Sequence, residues 1–302
     1  MRAGKFSFAL IIVVLLLIIR SVTLLKRRKV KMNCYFDTNI FDRILDSPSR
    51  DLIIKKIKQK GILPMPSASN LCEILSTSSE ERKNDLIKAY RQIKDEYFPL
   101  KPYPWLLRES VEAVEKEAEK IEVNYHIEIN KFTEDVCKEL KSIQGIELEK
   151  YIQGARRFVQ ENRGKIEIID EKSFFGYADR NVGIFINIFN SICDAMGIKH
   201  NLSQEQILGI RFSPNMPWFY FLDAFLYIFF RRAIRTEGYS KRSNPQSADL
   251  EQVSYLFCVG LFVTEDGNFR EFMKELKEIR GYKRDIFNFS EFMDYLGLKS
   301  IG

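Results

Sequence analysis

Three short apolar runs restrict what this chain can become more than any other feature. Each stops at polar or turn-forming residues, and each leads into residues with helical spacing. "NCYFDTN" (33–39), "ILPMP" (62–66) and "LFVTEDG" (261–267) predict strands, the second with prolines that suit an edge or an early exit. "IFDRILDSPSRDLIIKKIKQKG" (40–61) predicts two helices broken at Ser47-Pro48 and stopped at Gly61, and Ser67 or Ser69 is placed to cap a helix near "NLCEIL". "NFREFMKELKEI" (268–279) predicts a helix, and "RDIFNFSEFMDYLG" (284–297) a last strand and helix. Strands alternating with helices imply an α/β fold whose sheet is mainly parallel, with helices on its faces.

Residues 80–245 interrupt that alternation with long, charged stretches of helical period, whose Lys and Glu mark solvated helix faces. "FSPNMPWFYFLDAFLYIFFRRAIR" (212–235) is strongly apolar but broken by Asp223, which predicts a buried helix with a hydrogen-bonded carboxylate. The expected organisation is therefore a split α/β core, residues 32–79 plus 246–302, around a helical insertion at 80–245.

Residues 6–25, "FSFALIIVVLLLIIRSVTLL", match the ~20 residues that span a bilayer. The "KRRKVK" that follows would leave the rest of the chain on the cytoplasmic side. Two readings stand for residues 1–31: a membrane anchor at the inner face, or an extension upstream of a start at Met32. The same stretch carries eight basic residues and no acid. Removing those eight from the whole-chain +6 leaves −2 for residues 32–302, so global charge gives no argument for nucleic-acid binding. Cys34, Cys72, Cys137, Cys193 and Cys258 are scattered and form no C-x-x-C pair, which predicts buried free thiols in a reducing compartment. With only His126 and His200 besides, neither a zinc cluster nor a Ser/His/Asp or Cys/His catalytic set is supported.

The acids carry the chemical signal. Asp37 and Asp266 close two predicted strands, Glu73 lies on the helix after the second strand, and Asp249 starts the helix leading into "LFVTED". In open α/β sheets, sites form beyond the carboxyl ends of the strands, so the four would gather at one edge. Each also has a structural role open to it. Asp37 and Asp249 can cap helices, Glu73 can be an exposed helix residue, and Asp266 a turn residue before Gly267. Gathered together they repel one another unless a divalent cation neutralises them, and Mg²⁺ or Mn²⁺ suits an all-carboxylate set.

"YFDTNIF", "SNLCEIL", "SADLEQVSYL" and "FVTEDGNF" resemble the four signature segments of PIN-domain ribonucleases. The resemblance covers about a third of the chain. It implies a three-layer α/β/α core and an endoribonuclease using Mg²⁺ or Mn²⁺. By position it makes Asp37, Glu73, Asp249 and Asp266 the metal-binding acids, with Asn39 and Thr264 orienting them. It further implies an RNA substrate, with the chain acting as the toxin of a toxin–antitoxin pair or as a housekeeping ribonuclease. The chain departs from compact members in the 175 residues between Glu73 and Asp249.

"FFRRAIRTEGYSKRS" (229–243) offers Arg231, Arg232, Arg235, Lys241 and Arg242 to grip RNA phosphates and Tyr239 to stack a base; equally, it reads as a basic helix end and a solvated loop. Two other classes share parts of this pattern. One is a catalytically silent PIN-like scaffold that binds protein or RNA. The other, a haloacid-dehalogenase-like phosphatase, also opens on a strand-end Asp but needs a second Asp where Asn39 stands.

Overall fold

The computed structural model describes residues 31–93, 100–116, 170–233 and 252–298. Four parallel strands form one sheet: β1 (Met32–Phe36), β2 (Ile62–Pro64), β3 (Leu261–Val263) and β4 (Asp285–Phe287), in spatial order β2-β1-β3-β4. The β1–β3 register sets Cys34 opposite Leu261 and Phe36 opposite Val263. The mixed α/β class and the parallel sheet agree with the alternation of the sequence.

Side chains alternate across the pleat, and the two faces feed two cores. Cys34, Phe36, Leu261 and Val263 point to one face. There they meet α1 (Thr38–Asp46), α2 (Arg50–Lys60), α4 (Glu80–Ile93) and α11 (Phe289–Leu296). Helix α1 buries Ile40, Phe41 and Ile44 at helical spacing and ends before Pro48. Helix α2 stops at Gly61, whose φ of 70° is the left-handed geometry glycine adopts without strain. Phe36 makes edge contacts with Phe41 and Phe292, which tie β1 to the first and last of these helices.

Tyr35, Phe262 and Ile286 point to the opposite face. That face is covered by α5 (Tyr103–Glu115), α6 (Glu171–Arg180), α7 (Val182–Ala195), α8 (Gln204–Arg211), α9 (Pro217–Ala233) and α10 (Gly267–Arg280). Tyr35 stacks on both Phe262 and Tyr255, at 4.6 and 5.4 Å between ring centroids. Helix α9 is the buried helix expected over 212–235, with Trp218, Leu222 and Phe225 in the core. Among the described residues, no helix is long and apolar enough to cross a membrane; residues 6–25 lie outside them.

Asp223, fully buried on α9, is the hub of an ion network. Its carboxylate meets Arg211 at 2.6 Å, Arg280 at 2.9 Å and the Tyr282 hydroxyl at 2.6 Å. Asp179 completes the set, 3.0 Å from Arg211 and 2.7 Å from Arg280. Burial alone would pull the Arg280 guanidinium down, but Asp223 and Asp179 outweigh it and hold the group charged. Four helices, α6, α8, α9 and α10, are pinned together by these two Arg and two Asp side chains.

The cysteine expectation needs one correction. Cys34, Cys193 and Cys258 are free, but Cys72 is disulfide-bonded. Pairing depends on Cβ proximity in the fold, which spacing along the chain does not disclose.

Candidate metal centre

Connections from β1 run outward to β2 through α1 and α2 on one face of the sheet. From β3 they run the other way to β4 through α10 on the opposite face. The direction of strand addition thus reverses between β1 and β3, and open α/β sheets bind ligands in the crevice beyond such a reversal. Asp37 is the residue immediately past β1, and its N–H extends the ladder to the Val263 carbonyl at 3.0 Å. Thr264 follows β3 directly.

Asp37 is only 8% exposed. Its Oδ1 accepts from the Thr38 N–H at 2.8 Å. Its Oδ2 accepts from the Thr264 hydroxyl at 2.7 Å and from Asn39 Nδ2 at 3.0 Å. Asn39 also accepts from the Glu265 N–H, and Thr264 accepts from the Asp266 N–H, so both supporting residues bridge the ends of β1 and β3. Asn39 and Thr264, expected from the sequence to orient the acids, both donate to Asp37 Oδ2.

Asp266 caps α10, accepting from the Phe269 N–H at 2.9 Å, and Asp37 caps α1. Asp37 thus fills the capping role open to it, whereas Asp266 is a helix cap and not the turn residue expected. Glu73 lies on α3 (Ala68–Leu75) with solvent access; Glu80 and Glu81 belong to α4, where Glu80 pairs with Lys83. Asp249 lies outside the described residues.

Asp37 feels the charge of Asp266, and Glu73 feels that of Asp37. Burial pushes the Asp37 carboxyl up; its hydrogen bonds from Thr264, Thr38 and Asn39 pull it down, and the Asp266 charge pushes it up again. Glu73 is also raised, chiefly by the protein crowded around it and further by Asp37, against an interaction with Thr38. Asp37 and Glu73 add to the burial that lifts Tyr35 as well. Among the described residues no Lys or Arg forms an ion pair with Asp37, Glu73 or Asp266.

This oxygen-only donor set suits a hard divalent cation. Among the described residues, no group of three His, Cys, Asp or Glu side chains is arranged to hold a metal ion. Asp37 is the acid that both others reach electrostatically, Asp266 at the end of β3 and Glu73 on the exposed side of α3.

Of the basic residues, Arg231 is held by Glu275 at 3.0 Å and lies over the Tyr227 ring at 5.0 Å. Arg232 is on α9, while Arg235, Tyr239, Lys241 and Arg242 lie outside the described residues. Sequence reasoning passed over Thr38 and Asn70, which join the site by a 2.9 Å hydrogen bond. The one signal available was the S-x-x-N spacing of Ser67 and Asn70, a capping-box pattern that the structure realises.

Two expected results arise from this geometry. Thr264→Val keeps the shape but removes the donor to Asp37 and the acceptor for Asp266 N–H. It should cost about 1.5–3 kcal/mol in denaturant unfolding, because a charged acceptor is left short inside the protein.

The second result concerns pH. The carboxyls of Asp37 and Glu73 bind protons more tightly folded than unfolded, so they favour the folded state most below their ordinary values of 3.8 and 4.5. That contribution is lost as pH rises through the raised values. Thermal melts in chelator should therefore show wild type losing stability relative to Asp37→Asn as pH rises from about 4 to about 7. The subtraction cancels Asp46 and Glu291, whose lowered carboxyls act in the opposite direction.

No known family model matches the sequence, and neither a curated protein nor a solved structure with significant similarity to it was found.

Proposed function

We propose that the chain is a divalent-metal-dependent endoribonuclease of PIN type, built on a three-layer α/β/α core. The observation that carries this reading is the buried Asp37 at the reversal between β1 and β3, with the charges of Glu73 and Asp266 in electrostatic reach of it and no cationic partner among the described residues. Helices on both faces of a parallel sheet, with polar residues at the carboxyl ends of β1 and β3, support the same architecture.

In this reading Asp37, Glu73 and Asp266, with Asp249 from the segment preceding Gln252, hold Mg²⁺ or Mn²⁺. Asn39 and Thr264 fix the Asp37 carboxylate by donating to its Oδ2. A bound ion supplies an activated water and stabilises charge building on a phosphodiester. The substrate is RNA, gripped by Arg232, Arg235, Lys241 and Arg242, with Arg231 already engaged by Glu275, and a toxin paired with an antitoxin is one role for such an enzyme. Membrane anchoring through residues 6–25 would place it at the inner face.

A second reading has its own observation. Both oxygens of Asp37 are already taken by hydrogen bonds, and Asp266 is spent as a cap. These are the properties of a silent PIN-like scaffold that binds protein or RNA. The deciding experiment is Mg²⁺-dependent cleavage of single-stranded RNA by wild type, Asp37→Asn and Asp266→Asn, with folding checked by circular dichroism. Loss of cleavage in both variants supports the enzyme. Equal cleavage in all three overturns it. Absence of cleavage by wild type, together with no Mn²⁺ uptake by calorimetry, favours the scaffold.

A further inference from the structure

All four strands are parallel, so all of them begin at one edge of the sheet. The chain enters the described fold at that edge. Lys31 is exposed there, the Met32 N–H donates to the Gly61 carbonyl at 3.0 Å, and the Asn33 amide donates to the Cys258 carbonyl at 2.9 Å. Gly260 lies so close that a Cβ on it would come within 3.2 Å of the Met32 side chain. The entry point is therefore fixed between the end of α2 and the start of β3.

Charge is divided between the two ends of the strands. The residues that lead into them (31, 58–61, 258–260 and 281–284) include Lys31, Lys58, Lys60, Lys283 and Arg284 and no acid. Those that follow them (37–39, 65–67, 264–266 and 288–289) include Asp37, Glu265 and Asp266 and no Lys or Arg. Lys31, Lys60 and Lys283 are exposed and form no ion pair among the described residues. Glu278 and Asp294, exposed in the last turns of α10 and α11, reduce the positive balance without reversing it. Lys60 Nζ stands 4.8 Å over the exposed ring of Tyr295, a residue type that settles at a headgroup layer. The dipole of α2 is reason enough for lysines in its last turn, Lys58 and Lys60. It does not account for Lys31, which precedes β1, or Lys283, which lies past the end of α10.

Residues 6–25 are apolar and long enough to span a bilayer, and 26–31 read KRRKVK. Six residues reach at most about 20 Å when fully extended. A span at 6–25 therefore keeps the amino-end edge close to the bilayer, while β1 carries the chain about 16 Å away from that edge toward Asp37.

We propose that the amino-end edge of the sheet is a membrane-facing surface that takes the anionic headgroups of the cytoplasmic leaflet, with the Asp37 crevice turned to the opposite side. The inference rests on the membrane-anchor reading of residues 6–25 and not on the catalytic one. Each basic residue at such a surface raises its occupancy about 5-fold, and the attraction fades within a Debye length of about 8 Å.

The test is lysine acetylation, read by mass spectrometry, on the full chain in lipid nanodiscs of phosphatidylcholine alone or with added phosphatidylserine. Lys60 and Lys283 should react at least about 5-fold more slowly in the anionic discs, and about 1 M salt should restore their rates. Lys274, paired with Glu291 beside the carboxyl end of β4, should react equally in both. The Lys31→Glu, Lys283→Glu double variant should return Lys60 to its neutral-disc rate.

Equal Lys60 and Lys283 rates in the two discs overturn the proposal, and so does equal protection of Lys274. Slowing of Lys60 and Lys283 by single-stranded RNA but not by phosphatidylserine overturns it in favour of a nucleic-acid face. A full chain that stays out of the discs overturns the anchor and this surface together. Insertion without selective protection overturns this surface alone.

Discussion

Asp37→Asn is expected to lower Mg²⁺-dependent RNA cleavage by at least about 10²-fold, the equivalent of the several kcal/mol that a correctly held ion contributes to the transition state. The surroundings of the carboxylate explain why so small a change is so costly. Thr38, Thr264 and Asn39 all direct donors at its two oxygens. An amide nitrogen in either oxygen position faces a donor, so the substitution removes a charge and also turns one side of the group away from its partners. Losing the Thr38 contact removes part of the α1 cap, worth about 1 kcal/mol, while relief of a buried charge acts in the other direction. Folding should survive, and the loss should appear in the rate. Asp266→Asn should behave similarly at the catalytic step, with α10 still capped because asparagine is an effective cap residue.

Asp223→Ala should be the most damaging single change to stability, lowering it by about 3–5 kcal/mol. The cost comes from the groups left behind more than from the bonds lost. Arg211 is almost fully buried, and Arg280 and Tyr282 depend on the same carboxylate. Arg211→Met should cost less, because Asp223 keeps Arg280 and Tyr282 and the methionine stem replaces packing against Phe185 and Phe219. Chemical denaturation of the two variants side by side checks the ranking. Equal losses would show that the hub is Arg211 and not Asp223.

The strands and most flanking helices were legible in the sequence because each is a local signal. The breaks at Pro48 and Gly61 and the caps at Asp37 and Ser67 lie within a few residues of the elements they bound. Convergence of Asp37 with Thr264 was legible only through the rule that sites form at strand ends, since the two are 227 residues apart. What stayed hidden required knowing which surfaces meet. Asp223 was recognisable as a buried carboxylate, yet its partners Arg211 and Arg280 look like ordinary surface arginines in sequence. Asn70 reads as an unremarkable polar residue in the first turn of a helix until Thr38 is found beside it. Glu73 was distinguished from Glu80 and Glu81 by the end of α3 at Leu75, a boundary that patterning does not fix to the residue.

The pairing of β1 with β3 has a consequence for synthesis. The first two strands leave the ribosome within the first 64 residues, but the partner that covers the other edge of β1 begins at Leu261. At roughly 5–20 residues per second, the nascent chain waits on the order of 10–40 s with that edge unpaired. Such a delay makes it a client for chaperones and a slow folder by topology. It also means that a truncated or half-made chain lacks Thr264 and Asp266. The crevice is assembled last, so any hydrolytic capacity stays locked until translation has passed those positions.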